Sequence, residues 1–227
     1  MVQEVAGLGL KFLGWRSVPV KVEVLGVQAR ENQPDIEQML VQSEDPALAG
    51  DDFERLLYRL RRRMGHAISE RFRAEGLSDR RNDFYPCSLS CRTIVYKGMV
   101  RSEGLGEFYQ DLKNPAFEAS FAVYHRRFST NTMPRWPLAQ PMRMVGHNGE
   151  INTLLGNINW MVARQPILES DTLGEGLQDV LPVVNPGASD SANFDNVLEL
   201  LVRSGRRLPA ALMIMVPEAY DNQPNLV

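Results

Sequence analysis

Between Asp51 and Gly76 the apolar residues Phe53, Leu56, Leu57, Leu60, Met64, Ile68 and Phe72 recur mostly at spacings of three and four. That period lines one face of an α-helix; Asp51 and Asp52 suit its first turn and Gly76 suits its end. A helix with one apolar face must bury that face against other elements. A chain of 227 residues can bury roughly 70% of the surface its unfolded form exposes, so a sizeable core is feasible.

The flanking segments have other periods. Val18, Val20, Val22 and Val24 alternate, as on one face of a strand or in an extended run around Pro19. Residues 36–41 read as a short strand. Residues 83–100 place Phe84, Leu89, Ile94, Val95, Tyr96 and Met99 among Ser, Thr and Cys, with Gly98 at a turn, and read as paired strands. Residues 117–128, rich in Phe, Val and Tyr, read as another strand, and 142–145 as a short one running into Gly146. Asn152 or Thr153 can cap a helix extending to about Ala163. Ser189 or Asp190 can cap the next, with Phe194, Val197, Leu198 and Leu201 on its apolar face. Residues 208–216 are a further apolar segment, ended by Pro217. Strands and helices come in blocks, not in regular alternation, which favours the α+β class.

Charge and composition exclude several functions. A net charge of −3 gives no bulk reason to expect nucleic acid or an anionic membrane as partner. Arg59, Arg61, Arg62 and Arg63 form a local basic patch. They share their helix with Glu54 and Glu70 and have no aromatic stacking platform, so they read as a solvated helix face. No apolar run approaches the roughly 20 residues of a membrane span. The segment 1–10 lacks the basic start and cleavage site of a signal peptide. Two cysteines are not a disulfide framework, and a reducing cytoplasm is the simplest location. On a strand, Cys87 and Cys91 would lie about 13 Å apart, too far for a disulfide or for sharing one zinc.

Polar residues crowd into 124–160: His125-Arg-Arg-Phe-Ser-Thr-Asn131, then Gly146-His-Asn-Gly-Glu-Ile-Asn-Thr153. An Arg at the end of an apolar strand can grip a carboxylate through two parallel hydrogen bonds, or can pair with a nearby acid on the surface. Asn148-Gly149 offers a side-chain amide and an unobstructed backbone N–H for a developing oxyanion; the same dipeptide is a strong hairpin-turn signal. Asp190 either caps a helix or pairs with a substrate ammonium. A Ser-His-Asp hydrolase built from Ser189, Asp190 and His125 or His147 is weakened by the absence of a Gly-x-Ser-x-Gly elbow.

Taken together, and in order, Cys87-Ser-Leu-Ser-Cys-Arg-Thr-Ile-Val-Tyr-Lys-Gly-Met99, His125-Arg-Arg-Phe-Ser-Thr-Asn131, Trp136-Pro-Leu-Ala-Gln-Pro-Met-Arg143, Gly146-His-Asn-Gly-Glu-Ile-Asn-Thr153 and Pro186-Gly-Ala-Ser-Asp-Ser-Ala192 resemble the class II glutaminase domain of the glutamate synthase family. The resemblance covers nearly the whole chain. It implies an N-terminal-nucleophile hydrolase fold, a four-layer αββα sandwich of antiparallel sheets, here incomplete. It also implies hydrolysis of L-glutamine by an N-terminal cysteine whose α-amino group serves as base. Carried over by position, Arg127 resembles the arginine that holds the substrate carboxylate, with Thr130 assisting. Asn148 and the Gly149 N–H resemble the oxyanion-hole donors, and Asp190 the acid that binds the α-ammonium.

The family pattern is not fully met. Residue 1 is Met and residue 2 is Val, while Cys87 and Cys91 match non-catalytic family positions. The expectation is therefore a partial amidotransferase domain over 1–227, missing the cysteine segment and a C-terminal remainder, without glutaminase activity by itself and poorly soluble because sheet edges are left bare. In the family, ammonia passes to a synthase domain that aminates 2-oxoglutarate using FMN and an iron–sulfur cluster, with NADPH through a small subunit or ferredoxin as electron donor. Neither cofactor is expected within these residues. The alternative from another class is a non-catalytic glutamine-binding or regulatory module that keeps Arg127 and Asp190.

Overall fold

A computed structural model describes residues 1–77, 83–126 and 133–217. Its elements run α1 (Val2–Ala6), β1 (Leu10–Ser17), α2 (Val27–Glu31), β2 (Glu37–Ser43), α3 (Gly50–Ala74), α4 (Leu105–Phe108), α5 (Leu154–Arg164), α6 (Leu177–Val180), α7 (Asp190–Arg203) and α8 (Leu208–Met215). The fold is mixed helix and strand, and among the described residues its sheet is one antiparallel pair, β1 with β2.

Helix α3 organises the rest. Leu57, Leu60 and Met64 pack with Val5 and Leu10 in one cluster, and Phe12, Met39 and Val41 of the sheet close over it. Tyr58, on the adjoining face, enters a second cluster with Leu173, Leu177, Val180, Val183 and Leu200. The helix stops where predicted. Gly76 takes φ +73°, Leu77 N–H donates to Phe72 O at 2.7 Å, and Gly76 N–H donates to Arg73 O at 3.2 Å. Those two bonds satisfy carbonyls that the last turn would otherwise leave bare.

Of the two readings of residues 18–24, the strand does not form there but lies earlier. β1 ends at Ser17; Val18 N–H still donates to Ile36 O (2.9 Å), but Pro19 cannot donate and the ladder ends. Val20 makes only an isolated bridge with Tyr109, and Val22–Val24 is a 3₁₀ turn. The expected paired strands at 83–100 do not form. There the Ser88 hydroxyl accepts from Val95 N–H (3.1 Å), and the Ser90 hydroxyl accepts from Arg92 N–H (3.0 Å) and Thr93 N–H (3.2 Å). Serine side chains thus take backbone donors that a ladder would need. Nor are 117–126 and 142–145 strands. The first exposes Phe121, Val123 and Tyr124, and the second is a tight turn closed by Met142 N–H to Val145 O at 2.8 Å.

A third cluster gathers Val18, Leu25, Ala29, Phe108, Tyr109 and Trp136. The Trp136 indole N–H donates to Ala29 O at 3.1 Å, so the ring is fixed at its polar end as well as by packing. Gly98, expected only to mark a turn, lies against that ring. A Cβ there would sit 2.3 Å from Trp136 Cζ3 and 2.7 Å from Cε3. Gly98→Ala should therefore destabilise the protein by about 1–3 kcal/mol, because a buried indole cannot yield. A urea titration followed by tryptophan fluorescence measures this, and an unchanged midpoint would refute it.

Candidate functional site

Three of the predicted site residues lie on two segments that the fold brings together. Asp190 opens α7, and Asn148 and Gly149 lie on the loop 146–151. The N-cap of α7 is Ser189, whose hydroxyl accepts from Ala192 N–H at 3.2 Å. That leaves the Asp190 carboxylate available for other contacts. Its Oδ1 accepts from Ser191 N–H (2.6 Å) and the Ser191 hydroxyl (3.2 Å), and its Oδ2 accepts from Ile151 N–H (3.3 Å). An ionised carboxylate offers about four acceptor positions, so one remains for a further donor.

The loop is held at its start by Gln140. Its side-chain amide pairs with both backbone groups of His147: Nε2–H donates to the carbonyl at 2.8 Å and Oε1 accepts from the N–H at 2.7 Å. The His147 imidazole lies 2.9 Å from the Ser191 hydroxyl through Nδ1 and stacks on Phe194, ring centres 5.9 Å apart. Its Nε2 faces Gly149, where a Cβ would come within 2.9 Å. No strand flanks residues 148–149, so the Asn-Gly pair does not close a hairpin. Asn148 is exposed and its amide makes no hydrogen bond to a described residue.

Behind the loop lies a buried ionic cluster that sequence reading missed. Asp195 Oδ1 accepts from Met144 N–H (2.7 Å) and Val145 N–H (3.2 Å), pinning the turn that leads into His147. Arg143 Nε donates to Glu199 at 2.9 Å, and its Nη2 also contacts Asn196. Arg143 Nη2 is also 2.9 Å from Asp195 Oδ2, but without hydrogen-bond alignment, so that oxygen has the charge contact alone. Arg61 donates to Glu199 as well.

The electrostatics follow from burial against pairing. Burial opposes ionisation of Glu199, but Arg61 and Arg143 outweigh it and hold the carboxyl below its usual range. Burial, reinforced by the Arg143 charge, lowers Arg61 to about 10, which leaves it cationic at neutral pH. Burial pushes Asp195 up despite its Arg143 neighbour.

The basic patch on α3 is thus not a solvated face. Arg61 is 6% exposed, Arg59 pairs with Asp179 at 2.8 Å, Arg63 pairs with Glu4 at 2.7 Å, and Arg62 donates to the Val180 carbonyl at 3.2 Å. These arginines fasten α3 to the elements around it. The available signal was the placement of Asp195 and Glu199 one turn apart beside Leu198, a residue assigned to the buried face. Acids on a buried helix face need cationic partners.

Arg127 and Thr130 lie outside the described residues. The serine-hydrolase reading fails on geometry, since the Ser189 hydroxyl caps α7 and Ser191 is 2% exposed. Cys87 and Cys91 are both free. Burial raises the Cys87 thiol pKa; burial and the neighbouring Glu54 carboxylate raise that of Cys91, so neither is an activated thiol. Among the described residues no group of three or more His, Cys, Asp or Glu could hold a metal ion. No helix among the described residues is long and apolar enough to cross a membrane.

The sequence model of the family described as glutamine amidotransferases class-II matches residues 1–227. The chain is 59% identical over 227 residues to ferredoxin-dependent glutamate synthase 2 of Synechocystis sp., covering 99% of this chain and 14% of that protein. It is 52% identical to the chloroplastic ferredoxin-dependent glutamate synthase of Spinacia oleracea, over 96% of this chain and 13% of that one. It is 45% identical to the glutamate synthase [NADPH] large chain of Azospirillum brasilense, over 96% and 14%. The chain thus spans about one seventh of the length of these curated relatives. With the family pattern matched from end to end, the chain belongs to the class-II glutamine amidotransferases.

Proposed function

We propose that this chain supplies the glutamine-binding and oxyanion-stabilising part of a glutamate synthase amidotransferase domain, on an N-terminal-nucleophile sandwich as in the rest of the family. In this reading Arg127, assisted by Thr130, holds the α-carboxylate of L-glutamine, and Asp190 holds the α-ammonium. A cysteine thiolate attacks the side-chain amide carbon, and the carbonyl electron pair moves to oxygen. The Asn148 amide and the Gly149 N–H donate to that oxyanion. The α-amino group of that cysteine, having taken the thiol proton, passes it to the amide nitrogen; collapse of the adduct then expels ammonia and leaves a thioester, which water hydrolyses to glutamate. The attacking cysteine is the family's N-terminal one; the Cys87 thiol is pushed up by burial, and the Cys91 thiol by burial together with the Glu54 carboxylate.

The observation that carries this reading is the Asp190–Ile151 bond. It joins residues 39 positions apart and brings the carboxylate beside the Asn148-Gly149 loop, leaving it an acceptor position to spare. The α-ammonium of an amino acid held there would lie near the loop proposed to serve its amide.

Ammonia so released would pass to a synthase portion of the longer protein for reductive amination of 2-oxoglutarate. FMN and iron–sulfur chemistry belong there. The higher identity to ferredoxin-dependent relatives than to the NADPH-named one supports ferredoxin as the electron donor.

Asp190→Asn in the full-length gene product tests the site. The shape is kept, but the charge is gone and one of the two acceptor oxygens, which serve Ser191 and Ile151, becomes an amide donor. Losing a charged hydrogen bond to substrate should raise the glutamine KM by about 10- to 100-fold. Steady-state glutaminase assays read this out, and an unchanged KM would remove Asp190 from the substrate site.

A further inference from the structure

We infer that Ser191 and His147 are positioning residues for the oxyanion donors, joined to Asp190 in one hydrogen-bonded chain. This rests on the reading of Asn148 and Gly149 as those donors. The Ser191 hydroxyl is buried at 2% exposure and has three polar neighbours: Asp190 Oδ1 at 3.2 Å, His147 Nδ1 at 2.9 Å and Gln140 Nε2 at 3.5 Å. A hydroxyl has one proton to give and two lone pairs to receive with.

The orientation of Gln140 is set by His147. Its Oε1 meets the His147 N–H and its Nε2 meets the His147 carbonyl, and the flipped amide would oppose like groups at both contacts. Nε2 therefore approaches Ser191 as a donor. The carboxylate of Asp190 can only accept, so the hydroxyl proton points there. The remaining lone pair of Ser191 then receives Nδ1–H of His147. The proton count assigns the imidazole its Nδ1 hydrogen and its rotation.

With the ring so held and stacked on Phe194, its Nε2 edge occupies the space where residue 149 would carry a Cβ. Glycine at 149 is therefore required by the imidazole as well as by any need for an open N–H. His147 is fixed through its N–H, its carbonyl and its side chain, and Asn148 follows it directly. Donors aimed at an oxyanion act through preorganisation, and they need supports that keep them within about 0.5 Å of the productive position.

The test uses glutaminase kinetics of the full-length gene product, with Asp190→Asn run alongside. Ser191→Ala and His147→Leu each break the chain, and each should lower kcat about tenfold or more while the glutamine KM stays within about threefold. His147→Asn places an amide donor near the Nδ1 position and should recover most of that loss. A merely structural role would lower the thermal midpoint without this division between kcat and KM and without rescue by Asn. If Ser191→Ala fails to fold, the two His147 variants carry the test alone. Unchanged kcat in every folded chain-breaking variant, beside a raised KM in Asp190→Asn, would overturn this inference and leave the site reading standing. A rise in KM in place of the fall in kcat would also overturn it. An unchanged KM in Asp190→Asn would remove the site reading and this inference with it.

Discussion

Glu199→Ala should destabilise the protein by about 3–5 kcal/mol, the cost of leaving buried charge without its partner. Glu199 accepts from both Arg61 and Arg143, and the side chains of Glu199 and Arg61 are 6% and 7% exposed. Arg143 keeps Asp195 after the substitution, but among the described residues no other acid pairs with Arg61. Folding must then either bury an unpaired guanidinium or admit water between α3 and α7. Because the folded Glu199 carboxyl is held below its usual range, its contribution is complete above the usual carboxylate pKa and is lost as pH falls through the folded value. The measurement therefore belongs at neutral pH. Native-state hydrogen exchange at α3 and α7 amides should show protection falling by that amount. A loss under about 1 kcal/mol would show that the cluster is already hydrated.

The same cluster shows why parts of the fold were legible and others were not. The α3 repeat was readable because one helix face meets core from Phe53 to Met64, and Gly76 ends the helix by a local device. Ser189 was readable as a cap for the same reason: its partner is three residues away. Residues 83–100 misled because their apolar period matches a strand, while Ser88 and Ser90 bond the backbone locally and Glu54, from α3, takes Cys91 N–H at 2.8 Å. Gly98 looked like a turn because its constraint, the Trp136 ring, lies far along the chain. Four arginines in five positions looked solvated because their acids come from α7, from α6 and from residue 4.

The candidate site divides in the same way. Asn148, Gly149 and Asp190 stand in strings whose order and composition carry a family resemblance, so they could be named from sequence. Gln140 and Ser191 stand in the same strings, yet their work is done only across the gap between the loop and α7. A glutamine that copies a backbone pair and a serine that sorts three donors and acceptors leave no period or spacing to read. Their roles follow from proton counting, which needs the distances.

Asn148→Ala should lower kcat for glutamine hydrolysis by about 10²–10³, the usual loss when one oxyanion donor is removed, with little change in KM. Asn148 is exposed and bonded to no described residue, so stability should move by less than about 0.5 kcal/mol. That separation matters. Asp190 is proposed to bind substrate and through hydrogen bonds also reaches Ile151 and Ser191, so a loss at Asp190 mixes binding with geometry. Asn148 has one task in the proposed reaction, and it arises only when the carbonyl oxygen gains charge. Asn148→Asp sharpens the case: the shape is kept, the donor is lost, and a carboxylate now faces the forming oxyanion, so the rate should fall below that of the alanine variant. Rates for both variants within twofold of the parent in the full-length protein would assign the Asn-Gly pair to the loop alone and move the oxyanion site elsewhere.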